Sequence, residues 1–158
     1  MKKEEYGEKF HEHLLEQYKL YVEMADRVGT RRAQTNRFYI SLLSGLLAVL
    51  SIVVGRNIFS DFQAIVFAVV ALLGLALCIL WNINIRSYRN LNSGKFKIIH
   101  YMEQSLPFPC YDKEWEILKE EKEGKTYLQL TRVEQYVPII LAIPYMLLLI
   151  YSLLVLMK

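Results

Sequence analysis

The sequence predicts an all-α integral membrane protein with three transmembrane helices and a small helical cytoplasmic domain. Three observations carry that prediction. The chain has 158 residues with 19 Lys+Arg and 16 Asp+Glu, yet no charge falls in Phe38 to Gly55, Phe62 to Ile85 or Gln135 to Met157. These runs of 18, 24 and 23 residues match the roughly 30 Å hydrocarbon core, which takes about 20 apolar residues to cross as a helix. The runs total 65 residues, and the 93 that remain are too few to wrap three all-apolar helices in a soluble core. Finally, the basic residues gather at one end of the first two runs, as retention of Lys and Arg in the cytoplasm requires.

Residues 1–37 read as a cytoplasmic N-terminal amphipathic helix. Tyr6, Phe10, Leu14, Tyr18, Tyr21 with Val22, and Ala25 recur at three- and four-residue steps, and Glu4, Glu8, Lys9, Glu12, Glu16 and Lys19 fill the other face. That face is mostly acidic and repels anionic headgroups, so the arm is expected to pack on its own domain rather than lie flat on lipid. Gly29 and Thr30 mark an expected kink before the first span. A secretory signal is excluded, because the first apolar run follows 37 residues rich in charge.

Residues 38–85 form a transmembrane hairpin, with spans 38–55 and 62–85 and a short outer turn 56–61. Before it lie Arg27, Arg31, Arg32 and Arg37, and after it Arg86, Arg89, Lys95 and Lys97, against Arg56 alone in the turn. This places the N-terminus inside and makes 86–134 a cytoplasmic insert. Within the insert, Asn90, Asn92, Ser93 and Gly94 read as turn or helix-end residues. Phe96, Ile99, Met102 and Leu106 give a second amphipathic stretch that Pro107 stops, and Pro107-Phe108-Pro109 makes an extended link. Asp112 reads as the N-cap of a short helix holding Trp115 and Leu118. Glu120 to Lys125 reads as a solvated turn, and Thr131 to Glu134 as a capping box. Residues 135–158 are the third span with a short outer C-terminus.

The first span carries Ser41, Ser44, Ala48, Ser51 and Gly55 within an arc of about 80° at 100° per residue. The second carries Ala64, Ala68, Ala71, Gly74 and Cys78 in about 120°. Small stripes let membrane helices approach closely. Two outcomes stand open: the stripes pack the hairpin against itself, or the hydroxyl-bearing first one faces other subunits or lines an opening. The third span, with Pro138, Pro144 and bulky side chains, is expected to pack outside and face lipid, with Tyr136, Tyr145 and Tyr151 as interface anchors.

No catalytic chemistry is expected. The spans hold no ionisable acid, base or histidine, which counts against pumps and coupled transporters but leaves a passive pore open. His11 and His13 lie about 200° apart on a helix, so they share no ligand face, and no metal or other cofactor is expected. Cys78 and Cys110 read as two unpaired thiols. There is no Gly-rich phosphate loop and no converging carboxylate pair. The basic cluster Arg27, Arg31, Arg32, Arg37, Arg86 and Arg89 reads first as a topology signal that also anchors lipid headgroups. An anionic ligand is the alternative, though nothing there reads bases and no DNA is expected as a partner.

Two stretches carry a family resemblance. One is Glu16-Gln17-Tyr18-Lys19-Leu20-Tyr21-Val22-Glu23-Met24-Ala25-Asp26-Arg27, followed by Arg31-Arg32 and Asn36. The other is Ser87-Tyr88-Arg89-Asn90-Leu91-Asn92-Ser93-Gly94-Lys95-Phe96-Lys97, continuing to Glu103, Leu106-Pro107 and Tyr111 to Trp115. Together they resemble the RipA-type small bacterial membrane proteins described as octameric, which include the membrane accessory protein of type VI-B CRISPR systems. The resemblance covers roughly residues 10–150. It implies a homo-octamer around a central axis, with cytoplasmic helices above a membrane opening, and a role in antiviral defence at the cell inner membrane. The accessory protein's Arg-x(4–6)-His motif is not matched, since only Lys95 precedes His100 at that distance, so no RNase role is carried over. A pore-forming or pore-gating oligomer therefore leads. A membrane-anchored scaffold docking a cytoplasmic protein partner comes next, followed by a ligand-gated or nuclease-like cytoplasmic face.

Overall fold

A computed structural model describes residues 6–56, 62–120 and 130–157. They form four helices: α1 (Phe10–Gly55), α2 (Gln63–Glu103), α3 (Cys110–Glu120) and α4 (Leu130–Leu156), with no strand among the described residues. α1, α2 and the Val133–Leu156 part of α4 are long and apolar enough to cross a membrane. The chain divides into two units. The first unit comprises Met1–Arg31 with Tyr88–Gln129, and the second Arg32–Ser87 with Leu130–Lys158. Most of the outer turn 56–61, most of the Glu120–Lys125 turn and the side chain of Thr131 lie outside the described residues.

Both long helices bury a stripe that repeats every 3.5 residues. On α1 it runs Tyr18, Tyr21, Ala25, Val28, Arg32, Thr35, Tyr39, Leu43, Leu46, Leu50; on α2 it runs Phe67, Ala71, Gly74, Cys78, Trp81, Ile85, Tyr88, Asn92, Lys95, Ile99. Alternating steps of four and three are the signature of ridges-into-grooves packing with a left-handed supercoil. In the second unit the pairs Asn36–Trp81 and Tyr39–Asn84 join α1 to α2, and in the first unit Tyr18–Glu103 does so.

That register explains two corrections. α1 runs unbroken through Gly29 and Thr30, and α2 runs unbroken through Asn90, Asn92, Ser93 and Gly94. These residues are poor helix formers, but the cost is at most about 1 kcal/mol each. Buried Val28 and Leu43 flank the first pair and buried Ile85 and Ile99 flank the second group, so packing holds each helix together on either side. Of the four in α2, Asn92 occupies a stripe position and the other three are exposed outside it, where no packing is lost.

A third correction concerns α4. Its contact face repeats every seven residues as Pro138, Tyr145 and Ser152, all buried. The Tyr145 ring fills the space that Gly74 leaves, so that a Cβ built on Gly74 would collide with the ring. Its hydroxyl donates to the Leu43 carbonyl at 2.6 Å, and Ser152 donates to the Ala64 carbonyl. Tyr145 is thus a core residue of the second unit, beside Leu43, Cys78, Trp81 and Ile85, rather than an interface anchor. A large ring with a polar tip stays in an apolar core only where its hydroxyl finds an acceptor, and the open second lone pair of a helical carbonyl is one. On its remaining faces Ile139, Ile140, Ile143, Met146, Leu147 and Ile150 are exposed.

Candidate functional site

The two small-residue stripes have opposite surroundings. On α2, Ala71, Gly74 and Cys78 are buried and Ala64 and Ala68 half-buried, and two of the five positions meet α4 directly through Tyr145 and Ser152. On α1, Ser41, Ser44, Ala48, Ser51 and Gly55 are all exposed. The second unit therefore packs the hairpin through Tyr39, Leu43 and Leu46 on α1, not through its small stripe. Ser51 turns its hydroxyl back to the Leu47 carbonyl at 3.0 Å, a common way of satisfying a hydroxyl in an apolar setting. Gly45 and Gly55 have open space where a Cβ would stand. The exposed face is thus narrow-sided, uncharged and edged by Val49 and Ile52, which are also exposed.

At the Arg32 end of the second unit lies a polar belt that sequence reading missed. The Trp81 indole N–H donates to Asn36 Oδ1 at 2.8 Å, and the Asn84 amide donates to the Tyr39 hydroxyl at 2.9 Å. The Tyr39 and Trp81 rings stack with centroids 5.6 Å apart and planes 7° from parallel. Arg32 Nε stands 3.4 Å from Glu134 Oε2, with both side chains mostly covered. The signal for this belt was present, in that Asn36, Trp81 and Asn84 are polar residues on the stripe or next to it. Their pairing across 45 residues is a tertiary fact.

The basic cluster divides between the units. Arg27, Arg31 and Arg89 belong to the first, and Arg32, Arg37 and Arg86 to the second. Arg27 pairs with Glu23 one turn back at 2.6 Å, and Arg32 pairs with Glu134. Arg37, Arg86 and Arg89 are exposed.

The first unit is organised around Glu103, which is 1% exposed. Its carboxylate accepts the Tyr18 hydroxyl at 2.9 Å, the Tyr111 N–H at 2.9 Å and the Asp112 N–H at 3.2 Å. The last two are free N–H groups at the start of α3, so Glu103 caps that helix from outside its own sequence and places a negative charge at its positive end. This corrects the reading of Asp112 as N-cap. The Lys113 N–H bonds the Pro109 carbonyl at 3.1 Å, which puts Asp112 inside the first turn. There its carboxylate lies 3.3 Å from His100 Nδ1. The expected amphipathic face of the arm is the one that packs, with Ala25 buried and Tyr18, Tyr21 and Val22 half-buried. Burial, and then the hydrogen bond and charge of Glu103, push the Tyr18 hydroxyl well above the usual tyrosine range. Tyr111 is raised too, by burial and then by the charges of Glu114, Glu103 and Asp26. Among the described residues no three His, Cys, Asp or Glu side chains converge as a metal site, and Cys78 and Cys110 are unpaired.

No curated protein and no solved structure matches the chain. The model of one family of membrane proteins matches residues 15–154, a stretch holding most of both units, the Glu103 clamp and the exposed α1 stripe. The chain belongs to the octameric membrane protein family (8xMP).

Proposed function

We propose that the chain is a subunit of a homo-octamer in the bacterial inner membrane that forms or gates a pore and acts as a membrane-disrupting effector of antiphage defence. The observation that carries this reading is the unequal fate of the two small stripes. α2 spends its stripe inside the chain, whereas α1 presents Ser41, Ser44, Ala48, Ser51 and Gly55 outward. In an octamer that face meets neighbouring copies or the central opening, where small side chains permit close helix approach. With no charge on it, any opening it lines is built of hydroxyl, backbone and apolar groups. Residues 1–37 and 86–134 lie in the cytoplasm in this reading, the C-terminus lies outside, and exposed Arg37 and Arg86 meet lipid headgroups. The chain carries out no catalytic step of its own.

The test replaces Ser44 and Ala48 together with Leu, measuring dye release from vesicles containing the purified protein. Both side chains are exposed, so the single chain keeps its fold. Loss of release with helicity retained supports the pore. Unchanged release, or a monomeric mass for the unmodified protein in detergent, contradicts it. The scaffold reading draws on exposed Phe108 and Ile117 beside and on α3; it expects no release at all and a function indifferent to the Leu pair.

A further inference from the structure

Among the described residues, the first unit is covered on one side and bare on the other. Two contacts mark the two edges of its α1–α2 seam. At one edge Tyr18 and Glu103 meet, and α3 joins them there through Tyr111, whose ring also packs on Phe96 with centroids 5.6 Å apart. At the other edge the Lys95 ammonium stands over the Tyr21 ring, 5.0 Å from its centroid. On that second side lie Leu20 and Met24 of α1, and Leu91, Ile98 and Tyr101 of α2, all exposed, with Tyr101 at 74% and Leu20 at 56%. At 100° per residue Leu20, Met24, Leu91 and Ile98 sit about a quarter to a third of a turn from the seam of their own helix, toward the Lys95–Tyr21 edge, and Tyr101 lies farther round on the same side. On each helix they repeat in steps of four, three or seven, so the bare face has the spacing of a further coiled-coil seam. Gly94 lies in the middle of the α2 row, with open space where a Cβ would stand. Five large apolar side chains in one stretch outside the apolar spans are more than a solvated helical hairpin ordinarily presents.

We infer that this face receives α3 of a neighbouring copy of the same chain. The inference rests on the self-association proposed above and names the surface that makes it outside the membrane. A cyclic assembly of identical copies joins two different surfaces of each subunit, head to tail, and the first unit supplies two that match. The bare face carries Arg31 and Arg27 on its α1 side, Arg27 in a pair with Glu23, and Lys97 at its α2 border. α3 lies on the opposite side of the hairpin, and its own sequence holds Asp112, Glu114, Glu116 and Glu120 against Lys113 and Lys119. Its Ile117 is exposed, as is Phe108 just before it. Apolar meets apolar and acidic meets basic, and the contact repeats from copy to copy without leaving a bare face once the ring closes.

Directed cross-linking tests this in membranes, on a Cys110→Ser background because Cys110 is exposed. One differently tagged copy carries Ile98→Cys and the other Ile117→Cys, and a short bismaleimide is added. Within one chain the two positions lie on opposite sides of the hairpin, so a product carrying both tags reports a contact between copies. The expected result is that mixed product, with little product from either variant alone and a ladder of sizes when both substitutions share one chain. Ile98→Cys copies linking to one another, or no mixed product from a particle that still runs as an oligomer, overturns the interface and leaves self-association standing. A monomeric particle overturns both. A second variant keeps folding separate from assembly. Gly94→Leu puts a side chain into open space, so the thermal unfolding of the dissociated chain stays unchanged while the oligomer peak is lost; an oligomer peak unchanged by Gly94→Leu contradicts the proposal.

Discussion

The two units use the same kind of helical pair and hold their extra helix to it by opposite means. In the first unit a charged acceptor does it, as the Glu103 carboxylate takes two N–H groups from α3 and a hydroxyl from α1. In the second unit the donors are neutral hydroxyls, as Tyr145 and Ser152 of α4 give hydrogen bonds to main-chain carbonyls of α1 and α2. The difference follows from the surroundings. A buried carboxylate is tolerable where several donors converge on it. Between apolar spans the same charge costs far more, and a carbonyl already engaged in a helix still offers a second lone pair. A short helix with four free N–H groups calls for an acceptor, whereas a span with its backbone satisfied calls only for fit and an occasional hydroxyl.

The largest way to break this contrast is at Glu103. Glu103→Ala leaves three donors without their acceptor and destabilises the first unit by about 4 kcal/mol, which hydrogen exchange reads as lost protection across α3 while the α4 amides keep theirs. Glu103→Gln keeps an acceptor and costs less than half of that. Next comes Gly74→Val. Its side chain collides with the Tyr145 ring and costs about 3 kcal/mol by overpacking, with the opposite signature of α4 loosened and α3 untouched. Tyr145→Phe removes only the bond to Leu43 and costs about 1 kcal/mol, visible as a lowered midpoint of thermal unfolding in detergent. The smallest effect is one of pH. The Tyr18 hydroxyl is raised in the folded chain, so above about pH 10 the unfolded chain gives up a proton that the folded one retains. Stability from this group is full below that pH and falls as pH rises past it. Tyr18→Phe flattens the alkaline slope, and an unchanged slope contradicts the assignment.

The spans and the packed face of the arm were legible in the sequence because both are periodic. Charge-free runs mark the first, and Tyr18, Tyr21 and Ala25 at helical spacing mark the second. The family could be read from short motifs, one of which includes Glu103, but not the role of Glu103 as a cap, since its partners follow eight and nine residues later across a proline link. Asn90 to Gly94 misled because local propensity for turns is weaker than a helix register held on both sides. The α2 stripe announced close approach without naming the visitor. Only in three dimensions does Gly74 meet Tyr145 rather than α1, and that leaves the serines of α1 facing outward. Glu134 likewise reads as a helix-start residue until Arg32 stands beside it.

Direct imaging of solubilised particles tests that outward stripe. The expected result is a closed ring of eight copies in which the Ser41, Ser44, Ala48 and Ser51 face of α1 meets a neighbouring copy or the central opening, while Ile139, Ile143 and Met146 of α4 lie on the rim. A ring with α4 at the centre and the serine face of α1 turned to lipid, or a particle of one copy, would contradict it.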